Sequence, residues 1–261
     1  MTEEDTSEIQ APPSVKVEDT TPQMSGIAAL GNVFIEPGRV FEDMRRKPRF
    51  LLAGILSIML ITLFQVVFVE KIGLEKIARA RIEQSSRTAD LPKDQKEVAI
   101  AGQSGTLAKA ITYIATPFVL CILFALGSLI YFLGANAMGG SARFTHGLSV
   151  WFYSMWPATL LFTVANLIVL FVKNADDIDI TQSQQGLIQA GPAMLIDGKA
   201  HPVIQALVSS IDLFQIIGWV LAAIGLQKVA KISGGAAWAV VLMLALFGVA
   251  LKVVVAMLFK S

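Results

Sequence analysis

Cysteine is almost missing from this 261-residue chain. Cys121 stands alone, so neither an internal disulfide framework nor a cysteine-built zinc site can form. Histidine is as scarce: His146 and His201 leave little for metal binding or for acid–base work near neutral pH. Charge is thin too, at 16% of residues against about a quarter in a soluble domain. The 21 basic and 20 acidic residues leave a net charge of +1, so no broad positive field invites nucleic acid. Also lacking are a Gly-x-Ser-x-Gly elbow, a Walker phosphate loop, paired histidines and a thiol with an activating neighbour. No catalytic centre, metal site or cofactor is therefore expected.

What the chain has in excess is apolar surface, with 54% hydrophobic residues and a mean hydropathy of +0.64. Distances between charged residues locate it. Arg49 and Glu70 bracket an uncharged run, which predicts a span over about 50–69. Further spans are predicted over about 111–133, 148–172, 203–226 (broken by Asp212) and 236–259 (broken by Lys252). Each is long enough to cross about 30 Å of hydrocarbon at about 1.5 Å per residue. Helices alone satisfy their own amides there, and no alternating pattern suggests a barrel. The expected fold is all-α, a polytopic bundle of five transmembrane helices.

Residues 1–30 read as a disordered acidic tail (Glu3, Glu4, Asp5, Glu8, Glu18 and Asp19 against Lys16), and 31–261 as the membrane domain. The first apolar run begins only at Phe50, so no signal peptide is expected. Ile72, Ile77 and Ile82 recur beyond the first span and predict that its helix runs on past the membrane surface. Asp176, Asp177, Asp179 and Asp197 make a later loop acidic. They lack the spacing of a calcium loop and read as solvated. Arg39, Arg45, Arg46, Lys47 and Arg49 beside the first span favour a cytoplasmic amino terminus, although Lys71, Lys76, Arg79, Arg81 and Arg87 count the other way. In a bacterium the membrane would be the inner one.

Asp212 and Lys252 are the informative charges. On these boundaries they fall in the same half of the bilayer, about 4 and 7 Å from the midplane, and predict an interhelical ion pair. Two roles are open: a structural pair fixing helix register, or an Asp212 proton or cation site in a wet cavity. Gln65, Asn136, Asn166, Gln205 and Gln215 could line such a path or bond between helices. Pro117 and Pro157 predict kinks, and Gly218, Gly225 and Gly248 allow close helix approach. Trp151, Trp156, Trp219 and Trp238 fall near span ends and read as headgroup anchors. Gly139, Gly140, Arg143 and His146 could hold a phosphate, but a cytoplasmic turn with an arginine at lipid phosphates explains them more simply. From Pro37 onward, Val40, Phe41 and Met44 share one helix face, with Arg45, Arg46, Lys47 and Arg49 after them. That segment predicts a helix lying on an anionic leaflet, with partner docking as the alternative.

Three stretches together resemble the Yip-domain family of Ypt/Rab-interacting membrane proteins. The first runs from Glu36-Pro37 through Phe41 to Pro48. The second joins Gly139-Gly140-Ser141-Ala142-Arg143-Phe144 to Trp151, Tyr153 and Pro157. The third is Ile211-Asp212-Leu213-Phe214 followed by Val220 to Leu226, with Gly225 in its closing turn. Many members carry a tryptophan where this chain has Ile217; here the ring stands at Trp219. The resemblance extends over about Gly31 to Phe259. It implies five helices with a cytosolic amino terminus and, for eukaryotic members, binding of prenylated Rab GTPases in vesicle traffic. The loop Asn174 to Gln185 looks more like bacterial members.

The resulting expectation is a non-enzymatic integral membrane protein. Its partners would be the lipid bilayer and other membrane proteins or a second copy of itself, with no nucleic acid. A small transporter or channel using Asp212 and the buried amides is the alternative.

Overall fold

The structure is a computed structural model that describes residues 23–85, 88, 90–178, 180, 186–188, 191–192 and 202–258. Most of the acidic tail, together with Arg87, Asp179, Asp197, His201 and Phe259–Ser261, lies outside the described residues. Among those described, regular structure is helical throughout: α1 (Gly26–Asn32), α2 (Pro37–Arg46), α3 (Leu51–Ile72), α4 (Leu74–Gln84), α5 (Lys93–Ser104), α6 (Thr106–Ala137), α7 (Phe144–Val172), α8 (Pro202–Val208), α9 (Leu213–Ala230) and α10 (Gly234–Leu258). Five of them, α3, α6, α7, α9 and α10, are long and apolar enough to cross a membrane. The chain is an all-α integral membrane protein.

The first span stops where its helix pattern seemed to continue. Gly73 takes φ 87°, a left-handed conformation that costs a residue with a side chain, so α3 closes at Ile72 and α4 starts afresh. The isoleucine spacing belongs to a different contact. Ile72 and Ile77 are buried with Val69, Leu170, Ile178 and Ile180, while Ile82 meets Ala78 and Ile100 between α4 and α5. These two helices pack together as a hairpin between the first two spans. Arg79 forks onto the Glu97 carboxylate at 2.7 and 3.1 Å.

The fourth apolar run, 203–226, is not one helix. It divides into α8 and α9 around Ser209–Asp212, and α9 extends to Ala230. Asp212 is extended (φ −125°, ψ 147°), and its carboxylate accepts the Phe214 N–H at 2.8 Å. An N-cap aspartate starts a helix. Counting apolar residues treats the same aspartate as an interruption inside one.

α7 is central, packing against α3, α6 and α9, while α10 lies on α9 and α6. Its rings overturn two of the expected headgroup anchors. Trp156 is buried and donates to the Leu30 carbonyl at 3.2 Å. Trp151 faces inward against Phe124 and Tyr131, with ring centroids 6.2 and 5.2 Å away. The residues they meet lie on other parts of the chain, which span boundaries alone do not reveal. Leu30 belongs to α1, a helix that begins inside the stretch assigned to the tail: Ser25 caps it at 3.1 Å and Ala29 is buried.

The Arg79 fork holds the exposed Glu97 carboxyl below the usual glutamate range, and the Arg79 guanidinium is raised in turn. A depressed carboxyl stabilises fully above its unfolded value of about 4.3 and loses that contribution as pH falls through the lower folded value. Amide exchange in α4 and α5 should therefore accelerate below about pH 4. Glu97→Gln should make exchange at pH 7 faster and flatten that acid dependence; an unchanged profile in the variant would refute the link.

Candidate functional site

Two places concentrate features that packing alone does not demand. The first is a platform on the N-terminal side of the bundle, where the family-like stretches converge. Pro37 occupies the first turn of α2, where a missing N–H costs nothing. The apolar stripe of that helix is spent on protein rather than lipid: Val40, Phe41 and Met44 are all buried against α9 and α7. A Cβ on Gly225 would stand 3.0 Å from the Phe41 ring and 2.9 Å from Val150, so the ring needs that glycine. The expected lipid-lying helix is thereby corrected. The stripe meets a fitted surface of small residues, Ala222, Ala223 and Gly225, which no reading of α2 alone could supply.

The charges follow. Arg45 pairs with Glu42 at 3.0 Å, and Glu42 lies 3.8 Å from Lys228 on α9. The Arg46 Nε is buried without a partner among the described residues. Arg39 and Lys47 remain exposed, beside Phe34 and an almost fully exposed Ile35. Sequence reasoning missed Asp43, which is buried, accepts the Gln23 and Met24 N–H groups, and has Arg49 at 3.9 Å. The signal was available: Asp43 stands three residues after Val40, on the stripe itself.

The glycine turn docks on the same platform. Gly139 takes φ 84°, Gly140 N–H donates to Ala135 at 2.9 Å, and Ser141 N–H donates to Ala230, the last residue of α9, at 3.2 Å. Asn136 closes this turn with bonds to the Ala142 N–H and carbonyl at 2.8 and 3.1 Å. Arg143 is exposed, as a residue facing phosphates must be, whereas His146 is buried with Nδ1 accepting the Arg143 N–H at 3.0 Å. Tyr153 is fully buried, its hydroxyl 3.5 Å from the Gly26 carbonyl, and Pro157 is buried inside α7.

The second place is a cavity of about 740 Å³ walled by α3, α6, α7, α9 and α10. Asp212 and Lys252 both line it, as do Gln215 and Phe214, but no salt bridge within 4.0 Å joins the two charges. Their depth also differs from expectation. Each lies about 27 Å along its helix from the α9–α10 turn, close to the opposite boundary of a 30 Å core rather than near its midplane. Two of the amides bond between separate elements. Gln65 accepts from Thr116 at 2.9 Å, and Asn166 donates to Phe162 at 2.8 Å while accepting from the backbone of Leu187 and Ile188. Among the described residues, no three His, Cys, Asp or Glu side chains cluster closely enough to hold a metal.

The Yip1 domain profile matches residues 31–257, most of the chain. This protein belongs to the Yip1-domain family. No curated protein and no solved structure matches it. The Yip1 stretches, far apart in sequence, are thus neighbours in space at one contact: Phe41 from the first, Val150 within the second and Gly225 from the third.

Phe41→Ala should destabilise the folded Yip1 domain by about 3–5 kcal/mol, read by denaturant unfolding in detergent. Gly225→Val should do comparable damage by evicting the ring. A Phe41→Ala loss within about 0.5 kcal/mol, the scale of an ordinary surface change, would show that the ring is not seated there.

Proposed function

We propose that this Yip1-domain protein works without catalysis, organising other membrane proteins, or copies of itself, through its N-terminal platform. The observation that carries this reading is the docking of α2 on α9. It uses up the apolar face of α2 and leaves Arg39 on that helix, with Ile35 and Lys47 flanking it, exposed. A rigid helix with a mixed basic and apolar edge suits acidic protein surfaces at the headgroup level. Nucleic acid is not among the partners.

A cytoplasmic amino terminus is part of the proposal. It is supported by what becomes of the basic residues that argue against it. Lys71 bonds the Leu170 carbonyl, Lys76 pairs with Asp176 at 3.1 Å, Arg79 with Glu97 at 2.7 Å and Lys109 with Glu70 at 2.7 Å. Of the described cations that count the other way, Arg81 alone is exposed, while on the N-terminal side Lys47 is exposed and Arg39 holds Glu36 at 3.3 Å on the surface. In a bacterial cell the host membrane would be the inner one.

A second reading, a small transporter, draws on the cavity that holds Asp212, Gln215 and Lys252. The two separate by experiment. With Arg39→Glu and Lys47→Glu together, the organiser loses partners captured by cross-linking in native membranes, while melting stays at the wild-type temperature. Proteoliposomes of the purified protein should show no proton or solute flux. Flux abolished by Asp212→Asn, which keeps the helix cap, would replace this proposal with the transporter.

A further inference from the structure

We propose that the cavity beside α10 is a phospholipid site, taking one acyl chain between α3, α7, α9 and α10 and holding the headgroup phosphate on Lys252. This goes beyond the organising role, which does not need it.

The wall chemistry sets the ligand class. A volume of about 740 Å³ is that of a ligand pocket, typically about 300–1,000 Å³. Phe64, Met155, Phe162, Leu244 and Val249 give it apolar sides. The rings of Tyr131 and Trp151, with centroids 5.2 Å apart, form part of its wall. An apolar cleft inside a membrane protein is reached from the hydrocarbon, and the fold leaves that route open. α3 and α10 both pack on α6 without packing on each other, and the outer face of α10 beyond its first turns, at Leu246, Phe247 and Leu251, is exposed. Gly248 lines the cavity, and a Cβ there would meet no atom within 4 Å.

Charge then orients the guest. Lys252 lies on the cavity wall, exposed, and makes no salt bridge with a described residue. Its level, about 27 Å from the α9–α10 turn, is just inside the hydrocarbon boundary, and its flexible stem carries the ammonium outward to where lipid phosphates lie. Asp212, across the mouth, does not cancel this attraction. Its carboxylate accepts the Phe214 N–H at the start of α9, where the positive end of the helix dipole offsets its charge.

The test uses native mass spectrometry on the full chain in a neutral detergent. It is titrated with dioleoyl phosphatidylglycerol, with the matching dioleoylglycerol, and with glycerol 3-phosphate. The wild type should retain one phosphatidylglycerol per chain and neither of the other two. K252Q should lower that retention about fivefold, the scale of one partly exposed ionic contact. G248F, which places a ring in the cleft, should lower it further while helicity and melting stay as in the wild type. If G248F melts lower, K252Q alone decides. Equal retention of dioleoylglycerol, binding of glycerol 3-phosphate alone, or phospholipid retention unaffected by K252Q would each overturn the site, the last leaving only annular lipid. Partner capture in K252Q should match the wild type, so this proposal and the organising role fail independently.

Discussion

A missing side chain governs the N-terminal half of the architecture. At Gly225 the surface of α9 is low enough for the Phe41 ring to approach within 3.0 Å of where a Cβ would stand, with Val150 of α7 at 2.9 Å from the same point. Helix association in lipid gains little from hydrophobicity, because the surroundings are equally apolar, and close van der Waals fit takes its place. That fit converts α2 from a loose amphipathic segment into part of the bundle. Once it is seated, Asp43 holds the chain at Gln23 and Met24, Glu42 lies near Lys228, and α1 rests on Tyr153 and Trp156. On the same side the glycine turn bonds the end of α9 through Ser141.

Legibility from sequence follows the reach of each interaction. The five spans could be read because hydrocarbon imposes one simple requirement on roughly twenty consecutive residues, a local matter. Gly73 and Asp212 are local too, yet apolar patterning passes over the role of both, for a related reason. Hydropathy weighs the transfer cost of a side chain and ignores its backbone role, so a left-handed glycine and a capping carboxylate register as nothing and as a blemish. The partner of a stripe, by contrast, has no local trace. Val40, Phe41 and Met44 carry the same periodicity whether they enter lipid or α9. Trp151 and Trp156 likewise read as interfacial until the residues they meet, Tyr131 and Leu30, are brought alongside. Motif order was the one non-local clue in the chain, and it pointed to residues that do meet.

Some polar groups within the bundle are answered internally, while Ser57 Oγ, Thr62 Oγ1 and Trp151 Nε1 are buried without a partner among the described residues. Thr112 and Ser128 return their hydroxyls to carbonyls of their own helix, at 2.8 and 2.7 Å. Asn166, fully buried, receives backbone amides from Leu187 and Ile188. Irregular backbone can enter a membrane protein when a side chain answers for its amides, and Asn166 does so here. Asp212, Gln215 and Lys252 line the large cavity together with the hydroxyl residues Ser154, Thr159 and Thr163 of α7.

The capping of α9 at Asp212 also makes the protein lopsided in thickness. Its 18 residues cover only about 27 Å, short of an average hydrocarbon core of about 30 Å, whereas the apolar run of α6 over 111–133 covers about 35 Å. Lipids beside Leu213 and Val220 therefore meet a lower wall than lipids beside Ile111 and Leu133. Thinning on one flank and tilting or swelling on the other give the surrounding bilayer a gradient that a uniform cylinder would not impose.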